Sequence, residues 1–454
     1  MKKPKLNEKI YYLILLMPIL DLVTGLVNKF STLIITPGII IRGIILLISL
    51  IYVFALSKST NRKKSIFYLL ILGAFCLAYF ITKDSVFSID LLFKEATYMF
   101  KYMFFPVTLI AVFNLIDDYN IDKKKILNYL FLNSIFISFI IIIAHYSGTA
   151  TYSYDEFWSN GTVGWFTSAN EIGAILISLF PIVLIKLYEN LKVFNTIAVL
   201  VAIIALSLIG TKVGYIGLFM GLIIFSVYNI ITNKTKRKMK IIIFTILLIF
   251  SISFIAATDT INDTLNIIRV GTKNVEKEEE KPKSESVENK TSNQTDEKSE
   301  ILKKESEKIV YKENPNSVDK ILQTIFSGRQ TLLERSYIEY KETKLINKLF
   351  GLGFIRLDGH NKLDKLIELD LFDILFRYGI IGFILYIQPI LFLIKKMLKK
   401  IKCKEKHELY LAFYIILILM GTALICGHTF GAPGVSIYIV IAALLLESKR
   451  GKLT

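Results

Sequence analysis

The sequence predicts an all-α polytopic membrane bundle of about twelve transmembrane helices, with one large extracytoplasmic loop that contains short amphipathic helices. Three observations predict it. Hydrophobic residues fill 53% of the 454 positions, and mean hydropathy is +0.53. The apolar residues fall in blocks of about 17–22 that carry one charge or none, and about 20 residues of helix cross a bilayer's hydrocarbon. The connections between blocks alternate sharply in basic content, which is the mark of a chain that crosses repeatedly.

The blocks place helices at Ile10 to Leu26, Pro37 to Ala55, Ile66 to Ile81, Tyr98 to Leu115, Ile126 to His145 and Glu171 to Tyr188. They continue at Val193 to Leu208, Val213 to Ile231, Ile241 to Ala257, Leu371 to Ile394, Leu409 to Cys426 and Pro433 to Leu446. The first follows a basic start, and no small-residue cleavage pattern follows Leu26, so it reads as a retained signal anchor. One set of connections holds KKPKLNEK, SKSTNRKK, DKKK, NKTKRKMK, KKMLKKIKCKEK and the terminal ESKRGKLT. Lys and Arg are retained on the cytoplasmic side, so both termini are expected there. The opposite set is Asn28 to Leu33, Thr82 to Thr97, Tyr146 to Asn170, Gly210 to Lys212, a long excursion at 258–370 and Gly427 to Ala432.

This topology divides the chain into helices over 1–257, the excursion over 258–370 and the last helices over 371–454. It also accounts for the excess of 55 Lys and Arg over 38 Asp and Glu, a net +17, without nucleic acid as a partner. Three cysteines, Cys76, Cys403 and Cys426, imply no disulfide framework. Within the excursion, Lys273 to Asn316 is too polar to bury a core and reads as disordered. From Ser317 to Phe350 apolar residues recur at helical spacing, which predicts one or two amphipathic helices against the outer membrane face, with 320–370 as the lid of a site.

Candidate residues lie on that outer side. His360, in GLGFIRLDGHNK, titrates near neutrality and suits proton transfer, although a histidine there could equally cap the next helix. Glu368, Asp370 and Asp373 cluster where a spanning helix begins, and Asp370 and Asp373 share a face at i,i+3. A carboxylate at that depth needs a partner or a wet cavity, while helix-dipole complementarity is the simpler reason for it. Arg329 opens a helix, against the dipole's preference, and Arg335 follows on it; phosphate binding would explain the placement, as would plain solvation. Lys212 stands in SLIGTKVGYIGL between two apolar spans, where it either meets an anion or snorkels to lipid phosphate. Arg42 is a second intramembrane cation that Asp21 can neutralise, a structural pair. Ser168 and Asn170 begin a helix with Glu171 in its first turn, and Trp158, Trp165 and Phe166 before it suit an interface belt or a sugar platform.

In chain order, FTSANEIG, IGTKVGYIGL, FSGR with FGLGF and GHN, and ELDLFDILFRYGIIGF resemble the O-antigen ligase and Wzy-type polysaccharide polymerase family of bacterial envelopes. The motifs spread over 165–386, about half the chain. The resemblance implies inverting transfer of glycan from a polyprenyl-diphosphate carrier to an acceptor, with no metal or other cofactor. It makes Arg329 the family's loop arginine and His360 its proposed base, with Lys212 where ligases commonly carry arginine. Arg335, Asn361 and Asn170 are expected beside them on the diphosphate or glycan. Six residues, KLDKLI, part His-Asn from the acidic segment, so Glu368 or Asp370 is an alternative base. The implied partners are the lipid-linked oligosaccharide, the bilayer, a glycan acceptor, a flippase and chain-length regulator proteins. Polymerisation of capsule-type repeat units is the favoured outcome, and ligation to another envelope acceptor shares its chemistry. A flippase or transporter is the rival of a different class; it predicts paired charges inside the bundle and no use for the 320–370 segment.

Overall fold

A computed structural model describes residues 6–31, 35–83, 88–153, 161–232, 236–258, 329–354, 367–401 and 407–446. Among them the regular elements are all helices, and one isolated antiparallel bridge joins Tyr152 to Thr162. In chain order these are α1 Leu6–Phe30, α2 Pro37–Ile51 with a π turn over Tyr52–Leu56, α3 Arg62–Ile81, α4 Ile89–Asp118 and α5 Lys123–Tyr146. Then come α6 Ala169–Glu189, α7 Val193–Ile209, α8 Lys212–Thr232, α9 Arg237–Ala257, α10 Arg329–Glu342 and α11 Leu345–Phe350. Three more, α12 Asp370–Ile401, α13 His407–Ile425 and α14 Pro433–Leu446, complete the described chain.

All twelve apolar blocks are helices. Ten are long and apolar enough to cross a membrane, and α7 and α14 are shorter apolar helices. The largest boundary difference is at α4, which begins at Ile89, inside what reads as an outer loop. Its polar residues are accommodated in the helix, because Lys94 pairs with Asp90 at 2.6 Å one turn away and Glu95 faces inward.

Burial sorts the helices. In α6, 89% of the apolar window is buried, against 17% in α2 and 22% in α9, so α6 is central and the other two face lipid. All residues of α14 are buried as well. Lipid is as apolar as leucine, so helices associate here by close packing rather than by the hydrophobic effect. The Gly217–Gly221 pair of α8, a GxxxG spacing, shows how. A Cβ on Gly217 would lie 2.6 Å from Ile177 of α6, and one on Gly221 3.1 Å from Phe180.

The connections alternate between two ends of the bundle. At the basic end, Ser57 and Ser59 donate to Asp118 and Asp117 at 2.8 and 2.6 Å, and the Asp122 amide donates to Tyr11 at 2.8 Å. Lys29 bonds the Thr149 carbonyl at the other end, where the candidate residues collect.

There α12 is broken. Gly379 has φ 71° and ψ −175°, and the carbonyls of Phe376 and Arg377 accept the amides of Leu352 and Gly353, at 2.8 and 3.1 Å, instead of amides further along the helix. The GLG segment therefore lies as a strap along the broken turn. Glycine is required on both sides: a Cβ on Gly351 (φ 83°) would sit 2.2 Å from the Arg377 carbonyl oxygen, and one on Gly379 2.4 Å from the Gly351 nitrogen.

Candidate active site

The first turn of α12 presents two carboxylates, and each takes hold of a different loop. Asp370 accepts the amides of His428, Thr429 and Phe430 at 2.9, 2.8 and 2.6 Å. Asp373 accepts those of Ile367 and Glu368, both at 3.1 Å. The two side chains are buried, and amide donors together with the helix N-terminus stabilise the charge that burial disfavours.

The loops so held carry the residues that face each other. Glu368 (φ 63°) and His428 (φ 58°) are two of only three non-glycine residues with left-handed backbone among those described. Such a conformation costs about 1–3 kcal/mol and persists where the surroundings over-determine it. Asp370 and Asp373 supply that constraint. The backbones also touch, since a Cβ on Gly427 would lie 2.4 Å from the Glu368 carbonyl carbon.

Glu368 thereby becomes the centre of a three-residue group. Its Oε2 accepts Nε and Nη2 of Arg329 at 3.1 and 2.8 Å, and its Oε1 lies 3.6 Å from His428 Nε2. Arg329 is brought there by α10, whose Leu332, Leu333 and Tyr340 pack on Ile367, Leu369 and Phe376. Those apolar residues of α10 thus cover the protein rather than the membrane face expected of them. The unfavourable placement of an arginine at a helix start is answered by its glutamate partner. Burial alone would raise the Glu368 carboxyl, but contact with His428 and the charge of Arg329 outweigh it and hold it below the usual glutamate range. Burial alone would lower the His428 imidazole; contact with Glu368 and the charges of Glu171 and Glu368 outweigh it and raise it above its ordinary 6.5.

Further charges approach from the bundle. Lys212 opens α8 directly after Gly210 (φ 69°) and Thr211, within electrostatic reach of Arg329. Glu171 interacts with His428, Asp21, Arg42 and Lys101. It stands in the first turn of α6, whose N-cap is Ser168 as the sequence indicates, and Asn170 is its half-buried neighbour. Asp21 and Arg42 form the expected ion pair, wedged against Gly434 at the start of α14.

A second polar group anchors the strap. Glu95, buried on α4, accepts the Phe354 amide at 3.1 Å on each oxygen and the Tyr79 hydroxyl. Lys83 donates to the Gly351 carbonyl, and Arg377 to that of Gly353 at 3.1 Å. The Phe354 ring stacks on Tyr98 with centroids 4.6 Å apart. None of these partners is marked by a sequence motif.

Of the residues singled out from sequence, Arg329, Lys212, Glu368, Asp370 and Asp373 meet at one end, joined by Asn170 through its neighbour Glu171. His360, Asn361 and Trp158 lie outside the described residues, and Arg335 is described in α10 by its backbone alone. Trp165 donates to Thr149 at 2.9 Å and Phe166 is buried, so Phe166 offers no platform to a sugar. His428 carries little signal in the sequence, which shows only a polar GHT in a short connection.

The chain was compared with known proteins. Neither the curated proteins nor the solved structures include a match to it. A family model described as O-antigen ligase like membrane protein matches residues 3–449. That match takes in every described helix, the strap and the Arg329–Glu368–His428 group, and the chain belongs to the O-antigen ligase-like family of membrane proteins.

Proposed function

We propose that the protein transfers glycan from a polyprenyl-diphosphate carrier to an acceptor hydroxyl on the outer side of the bacterial cytoplasmic membrane, by polymerising cell-surface polysaccharide repeat units. The observation that carries this reading is the meeting of Arg329 and Lys212, from separate elements, beside an oriented carboxylate and imidazole. Departure of a diphosphate leaves negative charge on its oxygens, and fixed cations in a partly desolvated site stabilise it as it grows. Glu368 holds the Arg329 guanidinium in one orientation before substrate arrives. Displacement at the anomeric carbon then inverts it, without a metal. Proton removal from the acceptor falls to a general base, for which His360, Glu368 and Asp370 are the candidates from sequence. A flippase that delivers the donor and a chain-length regulator are the partners this reading calls for.

The family's description favours ligation to a different envelope acceptor as the second reading. A transporter reading would build on the buried Arg42–Asp21 pair, but it gives no role to the loops that orient Glu368 and His428.

The test is purified protein supplied with a polyprenyl-diphosphate oligosaccharide. Long products from donor alone are expected; product only with a second acceptor would indicate ligation, and no glycan product of any length would sink both. Arg329→Ala and Lys212→Ala should each reduce turnover at least about 100-fold, the scale of losing one transition-state charge contact, with unchanged protein level.

A further inference from the structure

We propose that His428 is the catalytic base of the transfer, taking the acceptor's proton on Nδ1 while Glu368 holds the ring through Nε2. This rests on the glycan-transfer reading above and names the residue that reading leaves open.

The geometry is that of a carboxylate–imidazole pair. Nε2 faces Glu368 Oε1 at 3.6 Å, and Nδ1 has no hydrogen-bond partner among the described residues. With Nε2–H turned to the carboxylate, the lone pair of neutral imidazole is on Nδ1. The side chain is 29% exposed, so the ring is not sealed inside the bundle. Three amide bonds to Asp370 fix the His428 loop, and the backbone at both His428 and Glu368 is left-handed, so the facing arrangement is built rather than incidental.

Glu368 is a poor base itself. Both its oxygens are engaged by cationic or cation-forming partners, and its proton affinity is depressed. His428 is shifted the opposite way. The ionisable groups that face it are Glu368 on segment 367–369, Glu171 on α6 and Asp370 on α12, with Arg329 behind Glu368 and Arg42 and Lys101 beyond Glu171. Two environments that push a glutamate down and a histidine up divide the work between holding and accepting.

The step balances without a co-reactant. The acceptor oxygen forms a bond to the anomeric carbon as the bond from that carbon to the diphosphate oxygen breaks, and the bonding pair leaves on the diphosphate beside Arg329 and Lys212. The acceptor's proton passes to Nδ1 and later to water.

Five variants test it in reconstituted protein supplied with polyprenyl-diphosphate oligosaccharide across a pH series. Wild-type turnover should rise with pH through a value above 6.5, as His428 loses its proton. His428→Gln should lower turnover about 10²- to 10⁴-fold, with donor binding unchanged and the rising limb gone. Glu368→Gln should move that limb to lower pH, a change that loosening of the loop alone does not produce. His428→Gly suits the left-handed backbone and leaves a space into which added imidazole should restore turnover. His428→Asn, also tolerant of that backbone, should stay inactive while folded. Turnover within threefold of wild type in His428→Gln, or a rising limb that survives there and vanishes in His360→Ala, would overturn the proposal while leaving glycan transfer standing. Wild-type protein that forms no glycan would instead overturn the reading on which it rests.

Discussion

At Asp370 both carboxylate oxygens accept backbone amides, and the three residues they hold lie in the connection that carries His428. Asparagine offers a single acceptor oxygen, so Asp370→Asn leaves at least one buried amide unsatisfied, at a cost of about 1–3 kcal/mol. We expect a lower unfolding midpoint in detergent and a larger fall in turnover, because the His428 loop loses its brace; unchanged values of both would show that the loop is held otherwise. The sequence marks Asp370 as a candidate, but not the three amides it holds. Its place at a helix start suited a base and a dipole partner equally, and only the three-dimensional path of the 427–430 loop separates them. His428 was illegible for the same reason: its partner Glu368 belongs to a distant segment, and neither residue's neighbours announce a pair. Arg329 was the clearest signal, since a cation at a helix start needs an external reason, and Glu368 is that reason.

Among the elements, α12 and the 351–353 strap depend on each other. The strap's amides take the Phe376 and Arg377 carbonyls that an unbroken helix would use, so the break at Gly379 and the left-handed turns at Gly351 and Gly353 form one feature. A methyl group at Gly379 meets a left-handed backbone and a neighbouring nitrogen at 2.4 Å. Gly379→Ala should therefore destabilise by about 2–5 kcal/mol, combining backbone strain with overpacking. Thermal unfolding of the detergent-solubilised protein measures this, and Gly43→Ala, where a Cβ meets nothing within 4 Å, is the matched control. From sequence, GLGF indicates tight backbone and YGIIGF an ordinary membrane helix. Their pairing joins backbone groups that leave no periodicity in side chains. The early start of α4 escaped for a related reason: Asp90, Lys94 and Glu95 resemble loop residues until one sees the first two paired and the third buried beneath the strap.

For the whole molecule, hydropathy alone located every apolar helix among the described residues, because block length against bilayer thickness is a strong constraint. What it could not rank was centrality. α14 is buried throughout and α2 faces lipid, yet the two are similarly apolar, so composition does not separate a protein neighbour from a lipid one. The polar stretch Lys273 to Asn316 carries no candidate residue, and removing it should leave turnover within about twofold of the full chain; lost turnover in a folded deletion variant would assign that stretch a direct part. The charge asymmetry of the connections sets the Arg329–Glu368–His428 group at the end away from the basic loops, which is why the proposed reaction is assigned to the membrane's outer side. The most direct measurement supplies polyprenyl-diphosphate oligosaccharide to one leaflet at a time of vesicles holding the protein in a single known orientation. Elongated glycan should form only when donor is on the leaflet opposite the basic loops. Glycan formed from donor confined to the basic side, or none from either, would contradict a glycan transferase built around this site.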